Sequence, residues 1–288
     1  MPFEYQTVTT PPNQSILMNF SQPIVFYVPS ISYYSFSYGN TDHHVQEFGL
    51  SLNVNQPSPQ QLHIDVTGIL QDSSGHTIDN NASTVTVVTL AWVGTNPGTI
   101  LLANANGISN NGQSGAIALP SSSLSTLQAV LSGFDLAYSS DHHVLYEGSG
   151  ASAQQNGSTA IILGKAQMGD SSGNRATTAT INGGLIAVAS GTNPGVGFQV
   201  LAGEQTTSQV NVSFPQNLSD AAILMLNNYA AYSGDHHVQT VGAGCTGWSV
   251  HGNTVQLENA SAFICDHSGH SQDNSKSSVS LLVVGFYA

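Results

Sequence analysis

The chain has 288 residues, with only 3 Lys or Arg against 16 Asp or Glu, and its formal net charge is -13. So few cations cannot neutralise a run of phosphates, which argues against nucleic acid and anionic membrane surfaces as partners. Because 40% of the residues are hydrophobic, the composition is that of a globular protein and excludes a disordered one.

The polar residues are mainly Ser, Thr, Asn and Gln, and the apolar residues include many Val, Ile, Phe and Tyr, which favours strands over helices. The middle of the chain shows the pattern best, because short apolar stretches alternate there with Gly, Asn, Ser or Pro. Six strands are predicted in that region, at 100–103, 116–119, 134–138, 142–146, 160–168 and 185–189. The sequence predicts an all-β protein built as an antiparallel sandwich.

One unit occurs three times along the chain. The string Asp-His-His-Val begins at Asp42, Asp141 and Asp235, and a glycine follows seven residues after each Asp, at Gly49, Gly148 and Gly242. About thirty residues further on, a second marker of the form Asp-x-Ser-Gly begins at Asp72, Asp170 and Asp266. We therefore predict three tandem β-sandwich units of about six strands each, at 1–94, 95–191 and 192–288, arranged around a pseudo-threefold axis.

The histidine doublet is the most informative motif. Alternation along a strand places the second histidine on one face together with the Asp, and three such faces turned toward a common axis would form a metal site for Zn, Fe or Ni. The candidate ligands are His44, His143, His237, Asp42, Asp141 and Asp235. The alternative is structural: the Asp accepts a hydrogen bond or caps a turn, and each histidine is satisfied locally.

A purely structural role is the main expectation for the other half of the repeated markers. These residues are the first histidines, His43, His142 and His236, which we expect to face the core, and the marker carboxylates Asp72, Asp170 and Asp266. A hairpin turn explains Asp-x-Ser-Gly, since Asp and Ser bind their own backbone and Gly supplies positive φ. Asp79 and Asp273 lie seven residues after a marker Asp and leave a calcium loop as the alternative.

The two cysteines, Cys245 and Cys265, lie in the last unit. They are candidates for a local disulfide, with a pair of buried free thiols as the alternative.

Catalysis finds little support. The sequence has no Gly-x-Ser-x-Gly elbow, and no nucleophile stands in a fixed relation to the repeated Asp-His-His cluster. We expect a protein that is not an enzyme.

Each unit resembles the H-type lectin-like modules of secreted agglutinins and phage tail fibres. The features that carry the resemblance are an aromatic strand leading into Asp-His-His-Val, the later Asp-x-Ser-Gly turn and a final Val-rich strand. The resemblance implies trimeric assembly and sugar binding near unit boundaries, with three units in one chain replacing three subunits. The family's sugar-binding residues do not match this sequence position by position.

Three functions follow as expectations. The first is a pseudo-trimeric, lectin-like adhesin or virion receptor-binding protein, with a glycan or cell-surface receptor as partner. The second is a self-associating structural subunit of a fibre or virion, and the third is a metal-binding protein. We expect an extracellular or virion-associated protein without membrane insertion, although residues 1–15 lack the features of a signal peptide.

Overall fold

The computed structural model describes residues 2–206 and 208–288, and it confirms an all-β fold with antiparallel sheets. Unit 1 contains β1 (Phe3–Thr10), β2 (Gln14–Asn19), β3 (Ile24–Ser37), β4 (Val45–Ser58), β5 (Gln61–Gln71) and β6 (Thr84–Val93). Unit 2 contains β7 (Ile100–Ser109), β8 (Ile117–Ala118), β9 (Leu124–His142), β10 (Val144–Asn156), β11 (Thr159–Gly169) and β12 (Thr178–Ala189).

Unit 3 repeats the pattern, but its fourth and fifth strands are each divided in two. Its strands are β13 (Val196–Glu204), β14 (Val210–Ser213), β15 (Leu218–His236), β16 (Thr240–Gly244), β17 (Gly247–His251), β18 (Thr254–Glu258), β19 (Ser261–Cys265) and β20 (Ser278–Tyr287). Within the described residues, no helix is long and apolar enough to span a membrane.

Each large sheet combines strands from two units. One sheet has the order β1-β6-β3-β16-β19, the second β2-β5-β4-β9-β12-β7 and the third β13-β20-β15-β10-β11-β8. In every case the first, sixth and third strands of one unit pair with the fourth and fifth strands of another. The sharing runs in a closed cycle, from unit 1 to unit 2, from unit 2 to unit 3, and from unit 3 back to unit 1. A small sheet of order β14-β18-β17 completes unit 3.

All six strands predicted for the middle unit are present, and most are longer than their apolar stretches. One boundary was wrong: the predicted strand at 142–146 is interrupted, because β9 ends at His142 and β10 begins at Val144. At this point the chain leaves one large sheet and enters the next, so the two strands belong to different sheets. Units 1 and 3 make the same crossing at the same motif.

Two apolar clusters fill the fold. The larger cluster draws buried residues from all three units, so the core is shared between them. The smaller cluster also takes residues from all three units, such as Val28, Val130 and Leu224, and lies where the long strands β3, β9 and β15 approach one another. Buried hydroxyls connect two of these strands, since Ser132 Oγ donates to Pro29 O at 2.6 Å. The units are interlocked around the axis.

Candidate metal centre

The Asp-His-His-Val motifs form a closed backbone ring where the chain crosses between sheets. The first histidine of each motif pairs with the valine of the motif in another unit: His43 with Val238, His142 with Val45 and His236 with Val144. The first of these bridges has both hydrogen bonds, from His43 N to Val238 O at 3.0 Å and from Val238 N to His43 O at 2.9 Å. The second histidine of each motif therefore lies between two paired residues.

The three second histidines meet on the pseudo-threefold axis. Ring centroids are 4.6 Å apart for His44 and His143, 4.4 Å for His44 and His237, and 4.7 Å for His143 and His237. One nitrogen from each ring lies within 4.8 Å of the other two. The structure thus brings together three of the six candidate ligands, although they come from positions about a hundred residues apart.

The electrostatics at His44 and His143 favour neutral imidazole, which is the form that binds metal. Burial lowers the pKa of His44 below its usual value, and the adjacent His237 and His143 rings lower it further. Burial followed by the His237 ring has the same effect on His143. Two tyrosines fix the backbone of the trio: Tyr38 and Tyr232 donate to the carbonyls of His44 and His237 at 3.1 and 3.0 Å.

The motif carboxylates do not join the axial histidines as a ligand set, which corrects the prediction for Asp42, Asp141 and Asp235. They fasten each unit to a marker turn of another unit. Ser73 donates its N–H and its hydroxyl to Asp141, both at 2.7 Å, and Ser171 does the same to Asp235 at 2.7 and 2.6 Å. Since β9 and β10 are separated at the motif, strand alternation does not hold the Asp and the second histidine on one face.

The third such contact closes the cycle, because His267 N donates to Asp42 at 3.1 Å. Asp42 also lies 3.7 Å from Nδ1 of His237, the single approach of a motif carboxylate to an axial imidazole among the described ion pairs.

The first histidine of each motif lies beside the marker Asp of its own unit, mostly buried. Nδ1 of His43 is 3.8 Å from Asp72, and the corresponding distance is 3.3 Å both for His142 to Asp170 and for His236 to Asp266. A tyrosine ring contacts each of these imidazoles, at centroid distances of 4.7 to 5.0 Å. The expectation that they face the core is wrong in detail, since about a fifth of each side chain remains exposed.

The marker carboxylates cap their own turns. Asp72 accepts hydrogen bonds from the N–H groups of Ser74 and His76, both at 2.9 Å, and Asp170 and Asp266 accept from the residue four positions on. The glycine of each turn has positive φ, for example 96° at Gly75. Asp79 also caps a turn, through the N–H of Asn81 at 2.9 Å. This geometry matches the turn alternative and gives the calcium alternative no support.

Both cysteines are free thiols, which matches the second of the two alternatives, although Cys265 is only partly buried. Thr240 and Gly244 lie at opposite ends of β16, and Cys265 pairs with Thr240 whereas Cys245 follows Gly244. The two thiols therefore lie at opposite ends of one strand ladder.

A layer of three valines, Val45, Val144 and Val238, lies in a small apolar pocket together with one ionisable side chain. Phe48 and Val241 occupy the corresponding positions of units 1 and 3, and unit 2 has Glu147 there, fully buried. Burial raises the pKa of Glu147 to about 8, although Asn228 donates to its carboxylate and lowers the pKa in part. Alignment of the three repeats finds this residue in the sequence. Glu147 directly precedes Gly148, whereas Phe and Val precede the equivalent glycines of units 1 and 3.

An open polar groove of about 730 Å³ lies on the sheet shared by units 2 and 3. Four glycines are among its lining residues, Gly112, Gly148, Gly150 and Gly164, and the polar or aromatic residues that line it include Asn111, Ser152, Lys165, Gln167, Asn227 and Tyr229. The Tyr229 ring stacks on Tyr146 at 5.9 Å, and the guanidinium of Arg175 lies 5.2 Å from the Tyr146 ring centre. The groove thus combines an aromatic face with several hydrogen-bonding groups.

A scan of protein-family models and a search of curated proteins each gave no match to this chain. The resemblance to lectin-like modules therefore stays a prediction.

Proposed function

We propose that this chain is a non-enzymatic, single-chain pseudo-trimer that binds one divalent transition metal ion between His44, His143 and His237. The observation that carries the proposal is the convergence of three imidazole nitrogens within 4.8 Å on the axis. Zinc with three histidine ligands and an open fourth position is a common arrangement. Nitrogens around such an ion are about 3.3 Å apart, given Zn–N distances of about 2.0–2.1 Å, so small rotations of the rings would complete the site.

The ring of motif backbones supports this function physically. Each axial histidine comes from a different unit, so a metal bound to all three would connect the three crossing points of the chain. The ligands need no long-range movement, because the bridges on both sides already fix their backbones. A metal that binds only the folded chain would stabilise it by mass action.

The triple variant His44→Ala, His143→Ala, His237→Ala tests the proposal. Full-length wild-type and variant proteins are stripped with chelator and dialysed against Zn²⁺. We expect elemental analysis to find one equivalent of metal less in the triple variant than in the wild type. His251→Ala is the matched control, since that exposed histidine lies outside the clusters of candidate ligands. Equal metal content in the triple variant and the wild type would contradict the axial site.

A second candidate function is glycan binding by a surface or virion adhesin, and the groove between β10, β11 and β15 favours it. Sugar recognition needs polar groups that fix the hydroxyls and an aromatic ring that covers an apolar sugar face. Tyr229 supplies the ring, while Asn227 and Gln167 supply donors and acceptors. The groove crosses a unit boundary, where the lectin resemblance places sugar binding.

Tyr229→Ala is expected to weaken binding to any glycan captured on an array by about fivefold, since an aromatic contact is worth about 1 kcal/mol. Tyr229→Phe keeps the ring and is the matched control. Binding that survives Tyr229→Ala, or a wild-type protein that captures no glycan, would remove this candidate. Self-association in a fibre or virion stays a prediction, to be checked by negative-stain microscopy.

A further inference from the structure

We infer that units 1 and 3 each carry a second kind of metal site, formed by His43, Asp72 and His76 in unit 1 and by His236, Asp266 and His270 in unit 3. The ligand class is a divalent first-row transition ion held by two imidazoles and one carboxylate, with the remaining positions open to water. These sites are separate from the axial site, because they share no side chain with it.

The geometry is the same in both units. In unit 1 the Nδ1 atoms of His43 and His76 lie 3.8 and 2.6 Å from one oxygen of Asp72, and the two rings lie 3.7 Å apart. In unit 3 the Nδ1 atoms of His236 and His270 lie 3.3 and 2.6 Å from one oxygen of Asp266, and the rings lie 4.0 Å apart. In each cluster one atom from every residue lies within 4.8 Å of the other two.

The surroundings suit a cation in unit 1. One oxygen of Asp72 accepts hydrogen bonds from the N–H groups of Ser74 and His76, both at 2.9 Å, and its other oxygen faces Nδ1 of both imidazoles. Nε2 of His43 lies 2.9 Å from the hydroxyl of Thr41. A hydrogen bond from Nε2–H to that oxygen leaves the Nδ1 lone pair free for a metal, which is the usual outer support of a histidine ligand. His76 is half-exposed, so an ion can enter from solvent.

Unit 2 provides an internal control. It keeps His142 and Asp170 at 3.3 Å, but Asn174 stands where the other units have His76 and His270. Asn174 makes the same contacts with the carboxylate, from its N–H at 2.8 Å and from Nδ2 at 2.6 Å. The turn is therefore preserved without the second imidazole. Asn at this position therefore keeps the hydrogen bonds of the turn but removes one proposed metal ligand.

Reciprocal substitutions test the inference. After loading with Zn²⁺, we expect His76→Asn and His270→Asn each to hold one metal equivalent less than the wild type. We expect Asn174→His to hold one equivalent more. Full-length proteins are stripped, dialysed and assayed by elemental analysis, with Co²⁺ absorption as a second measurement. Both His→Asn variants place in units 1 and 3 the residue that unit 2 already accommodates, so the fold should be retained.

Metal content that is the same in all three variants and in wild type would overturn the proposed sites in units 1 and 3. The clusters would then be hydrogen-bonded turns without a metal function. The axial site is scored independently. The triple alanine variant should hold one metal equivalent less than the protein that keeps His44, His143 and His237. The same difference is expected when both proteins also carry His76→Asn or His270→Asn. Failure of the axial proposal alone would leave two equivalents that disappear in the double variant His76→Asn, His270→Asn.

Discussion

Glu147→Gln is expected to raise the free energy of unfolding at pH 7 by about 3 kcal/mol, because the wild-type chain buries an acid that would be ionised when unfolded. The folded-state pKa is about 8, against an ordinary value of 4.5. Between these values the folded state binds more protons than the unfolded state, so stability falls as pH rises. Gln has nearly the same shape and carries no such penalty.

The pH profile distinguishes this cause from a general packing gain. The two proteins should be about equally stable near pH 4, where Glu147 is protonated in both states, and they should diverge up to about pH 8. Urea denaturation at several pH values measures the difference. Glu47→Gln is the control, because Glu47 is only half-buried and bonds to Gln71 at 2.7 Å. A gain that is the same at pH 4 and pH 8 would contradict the explanation.

The sequence predicted the all-β fold, the approximate places of the six strands of the middle unit and, for motif faces turned toward a common axis, the approach of His44, His143 and His237 to one another. These predictions succeeded because they depend on local patterns and on a repeat, and three copies of one motif must occupy equivalent places in a closed arrangement. The role of Asp141 could not be found in this way. Its partner is Ser73, in a turn of another unit, and only the sheet topology brings that turn to the motif.

The exchange of strands between units was the main feature that sequence patterns did not predict. Pairing of β4 with β9 or of β10 with β15 uses the same alternating residues that pairing within a unit would use. Register and partner choice depend on which surfaces fit, and no short-range pattern records that. One sequence feature does record the pairing between units, namely the glycine seven residues after the Asp of each Asp-His-His-Val motif, here called the marker glycine. These residues, Gly49, Gly148 and Gly242, all lie on the strand that pairs with another unit.

These glycines allow the strands of different units to approach closely, and the approach differs among the three junctions. A Cβ atom at Gly242 would lie 2.3 Å from Tyr34 O, and one at Gly148 would lie 2.9 Å from Asn228 O. At Gly49 the nearest backbone atom, Phe134 O, would be 3.1 Å away. Backbone oxygens in a central ladder cannot move aside without breaking inter-unit hydrogen bonds. The energetic cost of a methyl group should follow the distance.

Gly242→Ala is therefore expected to destabilise the protein by about 3 kcal/mol or more, Gly148→Ala by an intermediate amount and Gly49→Ala by less than about 1 kcal/mol. Thermal and urea unfolding measure the series. Gly115→Ala is the control, because no atom lies within 4 Å of its added Cβ and its φ is not positive. If the three marker glycines tolerated alanine as well as Gly115 does, close pairing between units could not be the reason that each copy of the repeat places glycine there.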